Sequence, residues 1–416
     1  MKRRTFIKAA GVSSAATLMS GLPTGWVGAA YADDSPEVSA MRFGIIALTD
    51  CAPIVMAHEL GYFKKFGIES TVSKEASWAV IRDKLSLGEN HATHMLIGMP
   101  LASTMGLAGS PVKPMVIPWL LNRNGQAITL NNKLKQAGVK KPADVKPLAD
   151  KAKAGGEPLA FAMTFPTGTH AMWIRYWLAS GGIHPDKDVS LITIPPPQMV
   201  ANMKANTMEA FCVGEPWHDQ LISQKLGYTA VSTGQMWMNH PEKSFAMRAD
   251  WVAKYPQAAV AITAAIIDAQ RWADNPANVG KLATIIGGRD WLKVAPADIQ
   301  DRLAGNFNMG DGRVAKNAPF KMKFWAANAS FPWKSHELWF LVEEQRWGKL
   351  PKTLHKMSVI SRVNRSDLWR RAAMLAKVPA GQIPRGESRG VERFFDGKTF
   401  NPANPQAYLA SLAIKR

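Results

Sequence analysis

The sequence predicts an α/β fold built from parallel strand, helix, strand units. Apolar strand-like runs alternate with helical patterns between residues 41 and 87, and the same alternation recurs between residues 157 and 213. A chain of 416 residues is also too long for one hydrophobic core and favours two or three compact units. Alternation at this spacing is typical of parallel sheets with right-handed crossovers.

The first alternation opens with a strand over residues 41–48. A helix is predicted around residues 53–60, a strand over 68–72 and a second helix over 79–87, because β-type runs and helical periodicity follow each other in that order.

The second alternation repeats this order. The patterns predict a strand over residues 157–163, a helix over 169–180, a strand over 189–194, a helix over 198–204 and a strand over 210–213.

The remaining segments lack this regular alternation of strands and helices. Residues 131–156 are polar and rich in Lys, Ala and Pro, which predicts helices and loops on an outer face. After Ala249 the pattern is helical, over residues 251–272, 279–286 and 296–303, and strand alternation does not reappear. Pro, Gly and Asn dominate residues 378–405, which predicts a surface tail.

The helix of the second alternation begins like an anion site. Pro166 and Gly168 end the preceding strand, and Thr167 or Thr169 can cap the helix. The free amides of a first helical turn point their N–H groups outward at the positive end of the helix dipole, and His170 lies in that turn.

Residues 1–32 read as an export signal with cleavage after the last of them. The basic start, apolar middle and small residues before the cleavage point support this, and Arg3-Arg4 followed by Phe6 and Lys8 resembles a twin-arginine signal. Later segments lack the ~18 uninterrupted apolar residues of a membrane span, so we expect a periplasmic protein without stable membrane insertion.

The two cysteines, Cys51 and Cys212, both lie in apolar segments. Neither stands at the cleavage point, where a lipid anchor would attach. Two buried thiols and one disulfide are both compatible with the sequence.

The formal net charge is +19, and about +15 would remain after loss of the four basic residues of the signal. Such a field attracts anions. Nucleic acid is disfavoured as a partner, because the basic residues are spread without a basic run and export separates the protein from DNA.

Catalytic signatures are missing from the sequence, which lacks G-x-S-x-G, a phosphate loop, H-E-x-x-H and C-x-x-C. His91 and His94 have no third metal ligand nearby in sequence, which favours a structural role. We therefore expect neither an enzyme nor a metal or cofactor site.

Hydrogen-bond donors stand near predicted strand ends, where open α/β sheets place ligands. They are the indole N–H of Trp78, the side-chain amide of Gln126, the backbone N–H of Gly214 and the ammonium of Lys243. Together with the His170 imidazole they would suit an acceptor.

The chain resembles the nitrate- and bicarbonate-binding proteins of ABC importers over nearly its whole length. Matching motifs follow in the same order: Leu48-Thr49-Asp50-Cys51-Ala52-Pro53, Gly61-Tyr62-Phe63, Ser73-Lys74-Glu75-Ala76-Ser77-Trp78, residues 164–182, Gly214-Glu215-Pro216-Trp217 and Phe394-Phe395-Asp396-Gly397-Lys398. The resemblance implies the type II clamp of periplasmic binding proteins, two α/β lobes with parallel-rich sheets flanked by helices. Lobe I would comprise residues 41–125 and 240–416, including a C-terminal wrap, and lobe II residues 126–239.

The resemblance also implies the site, with the anion near Trp78, Gln126, His170, the backbone of Gly214, and Lys243. Nitrate only accepts hydrogen bonds, so donors and one positive charge suit it. A bicarbonate-binding relative places a carboxylate, assisted by a metal ion, where this chain has Lys243, which favours nitrate.

One alternative depends on Glu242, which immediately precedes Lys243, because a one-residue shift of the alignment would bring Glu242 to the solute.

The implied function is capture of nitrate, with nitrite as a second candidate, between closing lobes and delivery to a membrane permease. Bicarbonate or cyanate import and a nitrate sensor acting on a regulatory partner remain alternatives. Pyrimidine synthases of thiamin metabolism use a related fold, but this chain lacks a recognisable nucleophile.

Overall fold

The computed structural model describes residues 35–107, 109 and 111–416, and two five-stranded sheets organise them. The predicted export signal lies outside the described residues. The strands are β1 (Ala40–Ile45), β2 (Glu69–Lys74), β3 (Ala92–Leu96), β4 (Met115–Arg123), β5 (Gln126–Asn131), β6 (Ala160–Met163), β7 (Ser190–Thr193), β8 (Ala210–Gly214), β9 (Gly227–Ser232), β10 (Pro241–Arg248), β11 (Phe307–Asn308), β12 (Val314–Ala315), β13 (Glu392–Arg393) and β14 (Thr399–Phe400).

Helices cover much of the rest. They are α1 (Ala52–Glu59), α2 (Tyr62–Lys65), α3 (Trp78–Leu87), α4 (Gly98–Met105), α5 (Asn132–Gln136), α6 (Pro142–Ala154), α7 (Thr169–Ser180), α8 (Met199–Lys204), α9 (Trp217–Ser223), α10 (Thr233–Met236), α11 (Ala249–Lys254), α12 (Pro256–Ala273), α13 (Val279–Gly287), α14 (Ala297–Ala304), α15 (Lys334–Arg346), α16 (Lys356–Val363), α17 (Ser366–Leu375) and α18 (Pro405–Ser411).

The first sheet has the strand order β2-β1-β3-β10-β4. β1 runs parallel to β2 and β3, whereas β10 is antiparallel to β3 and β4. The first alternation of strands and helices is therefore confirmed as a parallel unit, and an antiparallel strand from far along the chain completes the sheet.

The second sheet has the order β7-β6-β8-β5-β9. β6 is parallel to β7 and β8, and β5 is antiparallel to β8 and β9. The chain enters this sheet through Asn124 and Gly125, whose φ angles are 57° and 90°. It returns to the first sheet through α10 and His240. These two connections coincide with the proposed lobe boundaries, although residues 36–416 form one compact unit and the division into lobes stays a prediction.

One sequence expectation for the last third needs correction. Strand pairing does reappear after residue 249, in the short antiparallel pairs β11 with β12 and β13 with β14. Two-residue strands are too short to show alternation. In the tail predicted over residues 378–405, Phe394 and Phe400 are buried, as expected of a segment that wraps the domain.

An aromatic cluster fixes α7 against the C-terminal segment. The rings of Trp173 and Trp339 stack at a centroid distance of 5.3 Å, and Trp237 lies 5.1 Å from Trp339. Phe394 packs on Trp339 at 5.8 Å. Large aromatic side chains supply much of the burial energy of a core. The C-terminal segment therefore holds the helix that carries His170.

Cys51 and Cys212 are buried free thiols. Of the two possibilities, the structure therefore supports two separate thiols and not a disulfide. Within the described residues, no helix is both long enough and apolar enough to cross a membrane.

Candidate functional site

The site begins in the turn that follows β1. Asp50 lies in a 3₁₀ turn, Thr49–Cys51, and is fully buried. Its Oδ2 accepts a hydrogen bond from Lys243 Nζ at 2.8 Å, and its Oδ1 lies 2.8 Å from His94 Nε2. A turn of the first sheet therefore presents a carboxylate to a lysine about two hundred residues away in sequence.

Lys243 stands on β10 with three close partners. Its Nζ donates to Asp50 Oδ2 at 2.8 Å and to Glu242 Oε1 at 2.9 Å, and lies 3.4 Å from His170 Nε2. Neighbouring side chains on a regular strand point to opposite faces. Here the register shifts on both sides of Lys243, so Glu242 and Lys243 reach the same place.

Glu242 joins the two sheets. Its Oε1 accepts a hydrogen bond from the hydroxyl of Thr169, and its Oε2 accepts one from Trp173 Nε1 at 3.0 Å. Both donors lie on α7, beside the second sheet, whereas Glu242 belongs to the first. A buried carboxylate with three donors around it is well satisfied.

The residue that caps the N-terminus of α7 differs from the sequence expectation, although the helix begins at the predicted residue. Gly168 is the N-terminal capping residue, and neither Thr167 nor Thr169 caps the helix with its side chain. Thr169 is instead occupied with Glu242. His170 Nδ1 lies 2.5 Å from Thr164 Oγ1, which directs Nε2 towards Lys243.

Trp78 and Gln126 contribute donors that are not used. Trp78 Nε1 and Gln126 Nε2 are buried and have no hydrogen-bond acceptor within the described part of the chain. Lys243 Nζ lies 5.8 Å from the centre of the Trp78 ring, and the His94 ring meets the same indole edge-on at 5.2 Å. A buried donor without an acceptor costs free energy, so an acceptor from outside the chain would stabilise both groups.

Gly214 ends β8 opposite Gln126 of β5. A Cβ atom at this position would lie 3.0 Å from Asp50 Oδ2 and 3.7 Å from Lys243 Nζ. The missing side chain therefore lets the backbone approach the charged cluster closely.

The structure thus places Trp78, His170 and the backbone of Gly214 around Lys243, whereas Gln126 lies opposite Gly214 on the neighbouring strand, where its Oε1 accepts a hydrogen bond from the Thr233 hydroxyl at 3.4 Å. It also adds Asp50, Glu242 and His94 to the cluster. The sequence marks Asp50 only as part of a family motif, Glu242 only as the alternative to Lys243 and His94 only as a structural residue, and nothing in it joins the three to one cluster.

The ionisation of the cluster follows from burial and charge. Burial lowers the pKa of Lys243, but Asp50 and Glu242 outweigh that effect and the net pKa is raised. Burial raises the pKa of Asp50, but Lys243 and His94 outweigh it and the net pKa is lowered. Lys243 is therefore a cation and Asp50 an anion at neutral pH.

Glu242 and the imidazoles respond mainly to burial. Burial raises the pKa of Glu242, and Lys243 only partly offsets this. Burial, and then Lys243, hold the pKa of His170 well below its ordinary value. Burial also lowers the pKa of His94, although Asp50 opposes it. Both rings are neutral at pH 7, so each can donate through one nitrogen.

Among the residues that the structure describes, no group of three or more His, Cys, Asp or Glu side chains could hold a metal ion. His91 and His94 separate, because His91 Nδ1 accepts a hydrogen bond from the backbone N–H of Arg42 at 2.9 Å while His94 faces Asp50. The arrangement offers a cation and several donors to a small acceptor.

Two α/β sheets that meet over buried donors and a lysine define a solute-binding protein. The NMT1-like family model matches residues 34–287, and the chain belongs to this family, in the group of nitrate- and bicarbonate-binding proteins. The relatives are solute-binding proteins, which agrees with the expectation of binding without catalysis.

Individual relatives cover nearly the full chain. The nitrate/nitrite binding protein NrtA of Synechococcus elongatus is 49% identical over 390 residues, 92% of this chain and 88% of its own length. The bicarbonate-binding protein CmpA of the same species is 39% identical over 395 residues, 91% of this chain and 88% of its own length.

One solved structure is similar throughout. The periplasmic nitrate-binding protein NrtA from Synechocystis PCC 6803 superposes with a TM-score of 0.87 at 48% identity, covering 91% of this chain and 100% of that one. The predicted fold class, the α/β type II clamp of periplasmic binding proteins, is confirmed.

Proposed function

We propose that this chain is the solute-binding component of an ABC importer that captures nitrate, with nitrite as a second candidate, and hands it to a membrane permease. One observation carries the proposal: Trp78 Nε1 is buried without an acceptor in the described part of the chain, and the ammonium of Lys243 lies 5.8 Å from the centre of the same ring. The identity of 49% to a nitrate/nitrite binding protein supports the choice of anion.

The chemistry of the proposed ligand fits these groups. Nitrate is a planar monoanion that only accepts hydrogen bonds, so every group around it should donate. Trp78, Gln126, the backbone N–H of Gly214 and Lys243 would supply these donors, and His170 would add a further one in the tautomer that carries its proton on Nε2. Binding requires no covalent step and no cofactor.

Contacts between the two halves support a clamp. Trp217 Nε1 donates to the Ala47 carbonyl oxygen at 3.1 Å, and the Thr49 N–H donates to the Glu215 carbonyl oxygen at 2.7 Å. Each pair joins one residue of the proposed lobe I to one of lobe II. We propose that these bonds form when the lobes close over the anion, which would give closure a driving force.

We also propose that the protein acts in the periplasm and that residues 1–32 form a twin-arginine signal. The periplasmic NrtA similar to this chain supports the location, and Arg3-Arg4 followed by Phe6 supports the export route. Replacing Arg3 and Arg4 by Lys should leave the protein in the cytoplasm, and fractionation measures this.

Bicarbonate is a further candidate, because one carboxylate, Glu242, does lie in the cluster and CmpA is 39% identical. Cyanate import and a sensor role have no comparable support from the site.

Calorimetric titration of the purified protein with nitrate, nitrite and bicarbonate distinguishes these candidates. Nitrate should bind more tightly than bicarbonate, with or without calcium. Bicarbonate binding that needs calcium would show that Glu242, rather than Lys243, faces the solute.

A further inference from the structure

Three fully buried charged side chains meet at the site: Asp50, Glu242 and Lys243. Two carboxylates and one ammonium carry a net charge of −1 when all are ionised. A monoanion beside them would bring the buried total to −2. Unpaired buried charge costs several kcal/mol, so the cluster as it stands repels the solute that it should hold.

The N–H donors of Lys243 are a second obstacle to anion binding, because other groups already face them. An ammonium has three N–H donors. In this structure they have three partners, Asp50 Oδ2 at 2.8 Å, Glu242 Oε1 at 2.9 Å and His170 Nε2 at 3.4 Å. An anion gains a short hydrogen bond from Lys243 only if one of these partners gives way.

We propose that Glu242 takes up one proton when the anion binds, so that the protein captures nitrate together with a proton. This inference rests on the proposed function. A hydronium ion or a buffer acid in solution gives up the proton, so its bond to that proton breaks and its conjugate base stays in solution, while a lone pair of the Glu242 carboxylate forms the new O–H bond. The cluster becomes neutral before the anion is added, and the anion brings it back to −1.

Protonation also supplies donors. The Lys243 N–H that Glu242 had accepted is released for the anion, and the new carboxyl O–H is itself a donor. Glu242 would change from a competitor for Lys243 into a partner of the solute. An anion that only accepts hydrogen bonds gains most from this change.

The surroundings of Glu242 favour it as the proton acceptor. On its own strand it meets Lys243, and His240 Nδ1 lies 3.8 Å from its Oε2. From α7 it meets Thr169, Trp173 and His170, whose Nε2 lies 3.5 Å from Oε1.

The other titratable groups facing the cluster keep their charge state at neutral pH. Burial lowers the pKa of His240 to about 3. Burial raises the pKa of the Cys212 thiol on β8, and Glu242 raises it further. Asp50, reached through Lys243, has a lowered pKa despite burial. Glu242 is the carboxyl group of this set whose net pKa is raised, because Lys243 only partly offsets the effect of burial.

The sign of the pH dependence follows. The pKa of Glu242 is raised, and above it the free protein must take up a proton to bind, so affinity falls as pH rises, by up to tenfold per pH unit. Below that pKa, Glu242 already carries its proton and the affinity becomes independent of pH.

The test is calorimetry of the purified protein with sodium nitrate between pH 5 and pH 9, in pairs of buffers with different ionisation enthalpies. We expect proton uptake approaching one per nitrate on the alkaline side. Glu242→Gln should bind nitrate without proton uptake and with an affinity that no longer changes with pH over this range.

Glu344→Gln is the matched control. Glu344 is a buried carboxylate on α15 with a raised pKa and a lysine partner, Lys349, at 3.3 Å, but it has no contact with the cluster. This variant should keep the proton uptake of the wild type.

Nitrate binding by the wild type without proton uptake at every pH would overturn the inference and leave the proposed function intact. This count decides the question even if Glu242→Gln does not fold. Wild-type proton uptake retained in Glu242→Gln would also overturn it. No nitrate binding at any pH would contradict the proposed function and, with it, the inference.

Discussion

At the scale of single residues, the charge balance of the site depends on Lys243. We predict that Lys243→Glu abolishes nitrate binding, with a loss of at least a hundredfold, because it would gather three buried carboxylates with no cation. Titration calorimetry measures the loss, and a thermal unfolding scan checks that the variant is folded.

The control for that variant is Lys133→Glu, which changes the net charge equally at an exposed position on α5. It should bind nitrate nearly as the wild type does. Retained affinity in Lys243→Glu would remove this residue from the site.

A substitution of Trp78 can test the contribution of a single hydrogen-bond donor. Trp78→Phe removes an N–H that has no acceptor within the described residues and keeps most of the ring. A hydrogen bond to a charged group contributes about 1.5–3 kcal/mol, so the nitrate affinity should fall roughly ten- to a hundredfold with little change in stability.

Trp119→Phe is its matched control. Trp119 Nε1 is also buried and unpartnered, but the ring packs on Phe245 at 5.0 Å in the core. Its loss should leave the affinity unchanged. An equal loss in both variants would mean that the effect is one of packing.

Sequence reasoning proposes five donors but not their partners. Trp78, Gln126, His170, Gly214 and Lys243 could be named because a family motif or a strand end marked each of them. Asp50 and His94 could not, because their role depends on distances between segments that are far apart in sequence. Such distances exist only once both sheets have formed.

At the scale of elements, the approach of the β8 backbone to the cluster depends on Gly214. Gly214→Ala would place a Cβ 3.0 Å from Asp50 Oδ2 and 3.7 Å from Lys243 Nζ. We predict an affinity loss of about tenfold or more, because the methyl group occupies space beside the anion donors. Calorimetry against nitrate measures it.

Gly280→Ala on α13 is the comparison, since the nearest atom to its Cβ would be Gln300 Oε1 at 3.9 Å. This change should leave binding unchanged and stabilise the helix by about 0.5–1 kcal/mol. If both substitutions left the affinity unchanged, the close approach of Gly214 would have no role in binding.

Helix α15 carries a buried carboxylate that limits stability at high pH. Burial raises the pKa of Glu337 to about 8, although Asn364 donates to it at 2.8 Å. The folded protein therefore holds this proton more tightly than the unfolded chain does, so stability falls as pH rises from the ordinary glutamate range towards 8.

Glu337→Gln should remove this dependence. Its free energy of unfolding should exceed that of the wild type by an amount that grows with pH, reaching a few kcal/mol. Denaturant unfolding at pH 5, 7 and 9 measures the difference. A constant difference across this range would contradict the assigned pKa.

The helix α7 could be predicted to the residue, whereas β10 was not predicted as a strand. α7 has a glycine before its start and glycines after its end, so local signals define it. β10 is the antiparallel neighbour of β3 and β4 and is buried almost throughout, yet it contains Glu242 and Lys243. Buried charges mask the apolar pattern by which such a strand is recognised.

At the scale of the whole molecule, the positive charge and the clamp act at different stages. A net charge of +19 over the full sequence attracts anions from a distance and should raise the association rate, with an effect that weakens in salt. In the proposed mechanism the buried cluster would then decide which anion stays, because it joins the two sheets.

The proposed closure of the two lobes would depend on a small number of hydrogen bonds between them. Glu242 binds Trp173 across the sheets, and Trp217 binds the Ala47 carbonyl. The general architecture of two α/β halves could be predicted from sequence alternation and family resemblance. The bonds between the halves could not, since they join residues with no local signal.

The account depends on one anion among five donors, so a crystal structure of the protein grown with sodium nitrate is the most direct test. We expect a planar anion within hydrogen-bond distance of Trp78 Nε1, Gln126 Nε2 and Lys243 Nζ, with Lys243 no longer bound to both carboxylates. Nitrate bound elsewhere, or a cluster unchanged from Asp50 through Lys243 to Glu242 at saturating nitrate, would contradict the account.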